Sequence, residues 1–309
     1  HLGKMLGFHV TIMDDREYFV TKERFLLRYG DLHCDTLTRE AEGGTTFLHR
    51  TTSQISLEKL LGGGCFLQCF ALFTPSDCPE PWRRAEKYFS DFAAAKEELT
   101  EAGVRPVLTI ENGGILEGDL SRLDEAERAG VKIFGFTWND ENCLGFPCGE
   151  KGGLKPFGKR TAEELFSRGI YADVSHLGDD GFEDLRRIAE GYRIPLIATH
   201  SLSRAVCAHK RNLTDGQIKA IADSGGIVGV NFVREFIGEK GIFAHIRHIA
   251  RIGGEDVLAI GTDFDGTENP LYAGADEMPG FFEDMKKAGF CFRVTEKLAY
   301  KNVKRILTN

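Results

Sequence analysis

The chain has 309 residues, 42% of them hydrophobic and 28% charged, with a formal net charge of −8 at pH 7. That length carries one large barrel or two ordinary domains, with a sizeable buried core. The acidic balance argues against a nucleic-acid footprint, and no apolar run approaches the roughly 18–20 residues that span a bilayer. Small molecules are the expected partners, with no nucleic acid and no membrane.

Taken in chain order, residues 1–27 come first. A short apolar start is followed by Asp14 and Asp15 with no small-residue cleavage site, so the segment does not read as a signal peptide. It is expected to be an extra hairpin or strand packed on the domain formed by 28–309. Eight β-branched or aromatic runs follow, at 28–35, 63–73, 104–112, 131–139, 170–176, 194–200, 225–232 and 257–266. Helical patterns separate several of them: 81–103, 122–130 closed by Gly130, 160–169, 214–225 and the tail 293–307. Strands alternating with helices in this number predict an α/β fold, a (β/α)8 TIM-type barrel; an open doubly wound sheet is the alternative. The eight cysteines form no C-x-x-C pair and read as mostly free thiols of a reducing cytoplasm, although Cys143 and Cys148 are close enough to meet across a loop.

The strand ends carry the chemistry. Residues two apart in an extended chain share a face, so His33 and Asp35 point together while Cys34 turns away. The third strand ends in Glu111, the fifth in His176, the sixth in His200, and the eighth in Asp263 with Asp265 two further on. Singly, each has a plain reading as a rim histidine, a cap or a turn former. In a parallel barrel they all stand on one rim around one cavity. Three imidazoles and two carboxylates there fit two metal ions, Zn²⁺ with Mn²⁺ or Co²⁺ as substitutes. His33 and Asp35 would hold one, His176 and His200 the other, with Glu111 shared between them. The remaining histidines join no such constellation; His245 and His248, three apart, read as one face of a surface helix.

The segments "DLHCDT", "IENGG", "TWNDENCLG", "DVSHL", "ATHSLSRAVCAHKRNLTD" and "GTDFDG", in this order, resemble the membrane dipeptidase (renal dipeptidase) family of zinc peptidases from Arg28 onward. The resemblance implies a (β/α)8 barrel, a binuclear zinc site and a homodimer that hydrolyses free dipeptides, with acceptance of a D-residue at the carboxyl end left open. It implies the same metal ligands, with Asp263 as catalytic acid–base and Arg211 binding the substrate's terminal carboxylate. Mammalian members place a histidine after the fourth strand to help bind the substrate carbonyl. Trp138 stands there in this chain, with Asn139 beside it, and both are expected at the substrate. The implied mechanism is attack by a hydroxide shared between the two zinc ions. No secretory or lipid-anchor signal is read, so a soluble, cytoplasmic, bacterial-type enzyme is expected. Rival readings are another binuclear amidohydrolase (lactonase, deaminase or phosphoesterase) and a non-catalytic barrel. His-x-Asp on the first strand and a glutamate on the third favour the dipeptidase, since those rivals commonly carry His-x-His and a carbamylated lysine.

Overall fold

The computed structural model describes residues 18–20, 25–39 and 46–308. An antiparallel pair, β1 (Tyr18–Val20) and β2 (Phe25–Leu27), precedes the main body. Residues 1–17 and 21–24 of the N-terminal segment lie outside the described residues.

Eight parallel strands then close into a barrel. In chain order they are β3 (Tyr29–Asp31), β4 (Cys65–Leu72), β5 (Arg105–Ile110), β6 (Val131–Gly135), β7 (Tyr171–Asp173), β8 (Ile197–Ala198), β9 (Ile227–Val230) and β10 (Leu258–Ile260). Around the barrel the order is β10-β3-β4-β5-β6-β7-β8-β9, so consecutive strands are neighbours and the last pairs with the first. That closure settles the fold as a TIM-type (β/α)8 barrel and removes the open sheet. The helices are α1 (Leu57–Gly63), α2 (Pro81–Glu101), α3 (Arg122–Ala129), α4 (Pro156–Ser167), α5 (Asp179–Tyr192) and α6 (Asp215–Asp223). After them come α7 (Arg234–Ile237), α8 (Ile242–Gly253), α9 (Met278–Lys287), α10 (Phe292–Glu296) and α11 (Asn302–Leu307).

Local sequence explains the longer helices. Pro81 opens α2 with its φ already helical and no N–H to leave unpaired. Ala85, Tyr88, Phe92, Ala95 and Leu99, three or four apart, form its buried stripe. Thr214 and Gln217 form a reciprocal capping box at the start of α6, satisfying two backbone donors. The tail helix expected at 293–307 is present without a break, as α10, a π-helical turn at Lys297–Lys301 and α11. There the Asn302 amide donates to the carbonyls of Glu255 and Leu258, tying the tail to β10. No helix among the described residues is long and apolar enough to cross a membrane.

The reading of His245 as a surface residue is corrected. Its side chain on α8 is 0% exposed. Nδ1 accepts from the Ser203 N–H at 3.0 Å, so Nε2 carries the proton and donates to the Ile237 carbonyl at 2.8 Å. Burial lowers its pKa, so the unfolded chain binds the proton more tightly than the folded one. The resulting stability is present above the ordinary histidine range and lost as pH falls through it. Urea midpoints at pH 7 and pH 5 test this: wild type should exceed His245→Asn by less at pH 5. A constant difference would remove His245 as the cause.

Candidate metal centre and active site

The barrel strands are short, and buried carboxylates fix the chain just beyond them. Asp31, the last residue of β3, accepts from Thr262 N at 2.9 Å, Thr262 Oγ1 at 2.6 Å and His33 N at 3.3 Å. Asp173, the last of β7, accepts from Ser175 N at 2.9 Å, Ser175 Oγ at 2.6 Å, Thr199 N at 3.0 Å and the Thr199 hydroxyl. Each aspartate thus stitches its strand to a neighbour at the level of a site histidine.

Because the Thr199 hydroxyl donates to Asp173, its oxygen is free to accept from His200 Nδ1, 2.8 Å away. The His200 proton therefore sits on Nδ1, and Nε2 presents a lone pair to the cavity. His176 follows the same logic, with Nδ1 3.3 Å from the acceptor Asn139 Oδ1. Asn139 thereby orients a ring as well as lining the cavity. The two Nε2 atoms are 2.9 Å apart. Burial, and then the positive charges of Arg211 and His33, lower both pKa values well below the usual range, so both rings are neutral. Two facing lone pairs at that distance repel unless a cation or a proton stands between them.

Glu111, at the end of β5, is the hub. Its Oε1 lies 3.1 Å from His176 Nε2, 3.8 Å from His33 Nε2 and 3.9 Å from His200 Nε2. His33 Nε2 is also 3.5 Å from Asp35 Oδ2 and 3.9 Å from Asp263 Oδ1, yet it is buried with no hydrogen-bond partner among the described residues. Burial lowers the His33 pKa, but Asp35, Glu111 and Asp263 together push it up to about 10. Burial raises Glu111 well above the carboxylate range, and Asp35 raises it further. Within two overlapping groups, His33–Glu111–His200 and His33–Asp35–Asp263, the candidate ligand atoms all lie within 4.8 Å of one another. An orphaned His33 nitrogen and two facing imidazole lone pairs among buried carboxylates are the donor set a divalent transition metal needs, so the residues fit the expected ions.

The "DFDG" turn separates its two aspartates, each with a left-handed backbone at φ 64° and 66°. Asp263 faces the histidines, while Asn231 Nδ2 donates to its Oδ2 at 3.0 Å. Burial, then Asp35, raises the Asp263 pKa to about 6 against the lowering effect of His33. Asp265 points the other way and accepts from Thr36 Oγ1 (2.6 Å), Arg39 Nη1 (2.8 Å), Gln54 N (2.8 Å) and Ile55 N (3.3 Å). A Cβ at Gly266 would stand 2.2 Å from Asp35 Oδ2 and 2.4 Å from Asp263 Oδ1, so only glycine lets these carboxylates converge. The sequence reading missed Asn231, Asp31, Asp173 and Thr199, which act on named site residues through hydrogen bonds.

A cavity of about 390 Å³ opens above this cluster. Arg211 enters it only 4% exposed, with its guanidinium 5.6 Å from the Phe236 ring centre and Nη1 without a hydrogen-bond partner among the described residues. Trp138 also lines the cavity, packed on Phe73 at 4.7 Å between ring centres and 6.3 Å from His176. Every residue singled out in the sequence as a ligand, acid–base or substrate contact therefore converges here. The cysteines, Cys143 and Cys148 included, are all free.

The family model described as membrane dipeptidase (peptidase family M19) matches residues 24–309. A Klebsiella pneumoniae protein, described as an uncharacterized protein in the pqqA 5′ region, is 35% identical over 222 residues, 66% of this chain and 81% of the relative. Among solved structures, the dipeptidase AC, a metallopeptidase of family M19, superposes with a TM-score of 0.79 at 25% identity, covering 91% of this chain and 97% of that one. A Rhodobacter sphaeroides metallopeptidase, liganded with a phosphinate mimic of L-Ala-D-Ala, gives 0.78 at 24% identity over 91% of this chain and 98% of its own. The probable dipeptidase PvdM of Pseudomonas aeruginosa gives 0.76 at 20% identity, over 92% and 95%.

Proposed function

Since the chain belongs to the membrane dipeptidase family of metallopeptidases, we propose that it hydrolyses the amide bond of free dipeptides with two divalent ions held by His33, Asp35, Glu111, His176 and His200. The observation that carries this reading is the convergence of three imidazoles and three carboxylates beneath a cavity that also receives a buried arginine with a free Nη1 among the described residues. Zinc suits the donor set, with manganese or cobalt as substitutes. Such ions supply Lewis-acid polarisation of the carbonyl and a water that ionises near neutral pH.

The chain's own residues do the rest. Asp263 Oδ1, the oxygen not held by Asn231, takes the proton of the attacking water and delivers it to the leaving nitrogen. Arg211 offers Nη1 to the substrate carboxylate, and Phe236 holds the plane of its guanidinium. Trp138, whose indole N–H can only donate, walls the site with Phe73. A glutamate at the centre, where the rival amidohydrolases would carry a modified lysine, supports the dipeptidase assignment. The same reading makes the enzyme a homodimer, and its free cysteines suit a reducing cytoplasm.

Arg211→Lys should raise KM for free dipeptides by about 10- to 100-fold, because a charge-assisted fork becomes a single point contact. Its kcat should move far less; an unchanged KM would remove Arg211 from substrate binding. The deciding experiment is hydrolysis of free L,L and L,D dipeptides by zinc-loaded protein, beside N-acetylated, C-amidated and chelated samples. Turnover that vanishes on chelation and falls on C-amidation supports the reading. Two bound ions with no turnover of any dipeptide would overturn it.

A further inference from the structure

The cavity contains a second arginine that catalysis does not use. Arg39, on the loop after β3, has its side chain 39% exposed at the cavity wall. Its Nη1 is pinned at 2.8 Å to Asp265, a carboxylate with 0% side-chain exposure that three other donors also hold. Among the described residues the Nη2 edge meets only Glu268 Oε1, at 4.0 Å, and Glu268 is 97% exposed. A guanidinium fixed along one edge and open along the other is prepared to receive a carboxylate.

Resting on the dipeptidase reading, we propose that Arg39 pairs with an acidic side chain on the substrate's amino-terminal residue, making peptides that begin with Asp or Glu the preferred class. Topology assigns the end of the substrate. Arg211 follows β8 and Arg39 follows β3, three steps apart around the barrel by way of β9 and β10. With the terminal carboxylate on Arg211 and the scissile bond over the cluster, the amino-terminal side chain reaches the β3 side. Thr38 and Thr267 add polar groups beside Arg39, whereas Phe73, Trp138 and Phe236 give the cavity its aromatic surface.

The test uses the metal-loaded enzyme and the isosteric pair Asp-Ala and Asn-Ala, with Ala-Asp and Ala-Asn as the reversed pair. Wild type should show a KM about fivefold lower for Asp-Ala than for Asn-Ala, a modest factor because Arg39 is partly solvated. Arg39→Gln should abolish that ratio, so that KM for Asp-Ala and for Asn-Ala become equal. Glu268→Gln, an exposed change that removes the competing charge, should widen it. Competitive inhibition by unreactive phosphinate mimics of the first pair should follow the same order. An equal ratio in wild type and both variants would overturn the role of Arg39 while dipeptidase activity stands. Failure of wild type to cleave any of the four peptides would overturn the dipeptidase reading and this inference with it.

Discussion

Asp263→Asn is expected to lower kcat by about 10²- to 10⁴-fold, the range a positioned acid–base group contributes, while the protein keeps both metal ions. The two measurements separate two roles that geometry brings close together. Asp263 Oδ1 lies 3.9 Å from His33 Nε2 and shares a possible ligand group with His33 and Asp35. Its Oδ2, however, is occupied by the Asn231 amide, and its backbone is held in a left-handed conformation that few non-glycine residues adopt. With Oδ2 taken by Asn231, Oδ1 is the oxygen left to carry a proton. Asparagine preserves size and the possibility of bonding Asn231, but it cannot carry the transferred proton. Parallel loss of metal content and kcat would reassign Asp263 as a ligand.

The barrel was legible because its period is strong: eight apolar runs at intervals too long for hairpins demand crossovers. Helices with clear stop signals, such as α3 before Gly130, were readable from the same pattern. Those beginning in glycine-rich or mixed segments, α5 and α9 among them, were not, because Asp179-Asp180-Gly181 and Met278-Pro279-Gly280 weaken local propensity that packing restores. The ligand candidates were readable because each follows an apolar run directly. What the sequence concealed is the layer behind them. Asp31 and Asp173 sit inside strands, where a carboxylate has no visible partner until Thr262 and Thr199 arrive from across the barrel. His245 was misjudged for a related reason: its partners Ser203 and Ile237 lie on other segments of the fold.

Glu111→Gln offers the sharpest test of the centre because its effects should have opposite signs in two preparations. In chelated protein Glu111 is a buried carboxylate whose pKa burial raises well above the ordinary range. A raised value means that the folded state binds the proton more tightly than the unfolded one. Its stabilising contribution is therefore complete below the ordinary carboxylate range and lost as pH rises through the folded value. At neutral pH glutamine removes that burden, so chelated Glu111→Gln should melt at or above chelated wild type. Adding zinc should reverse the order. Ions that bind only the folded state stabilise it by mass action, about 4 kcal/mol at a thousand times the dissociation constant. Without the carboxylate that approaches all three histidines, the variant should hold at most one ion, gain less, and lose activity by at least about 10³-fold. Melting curves with and without zinc, beside metal analysis of each sample, decide the matter. Two ions retained with unchanged activity would remove Glu111 from the bridge, and chelated Glu111→Gln melting below chelated wild type would show that its charge is satisfied without metal.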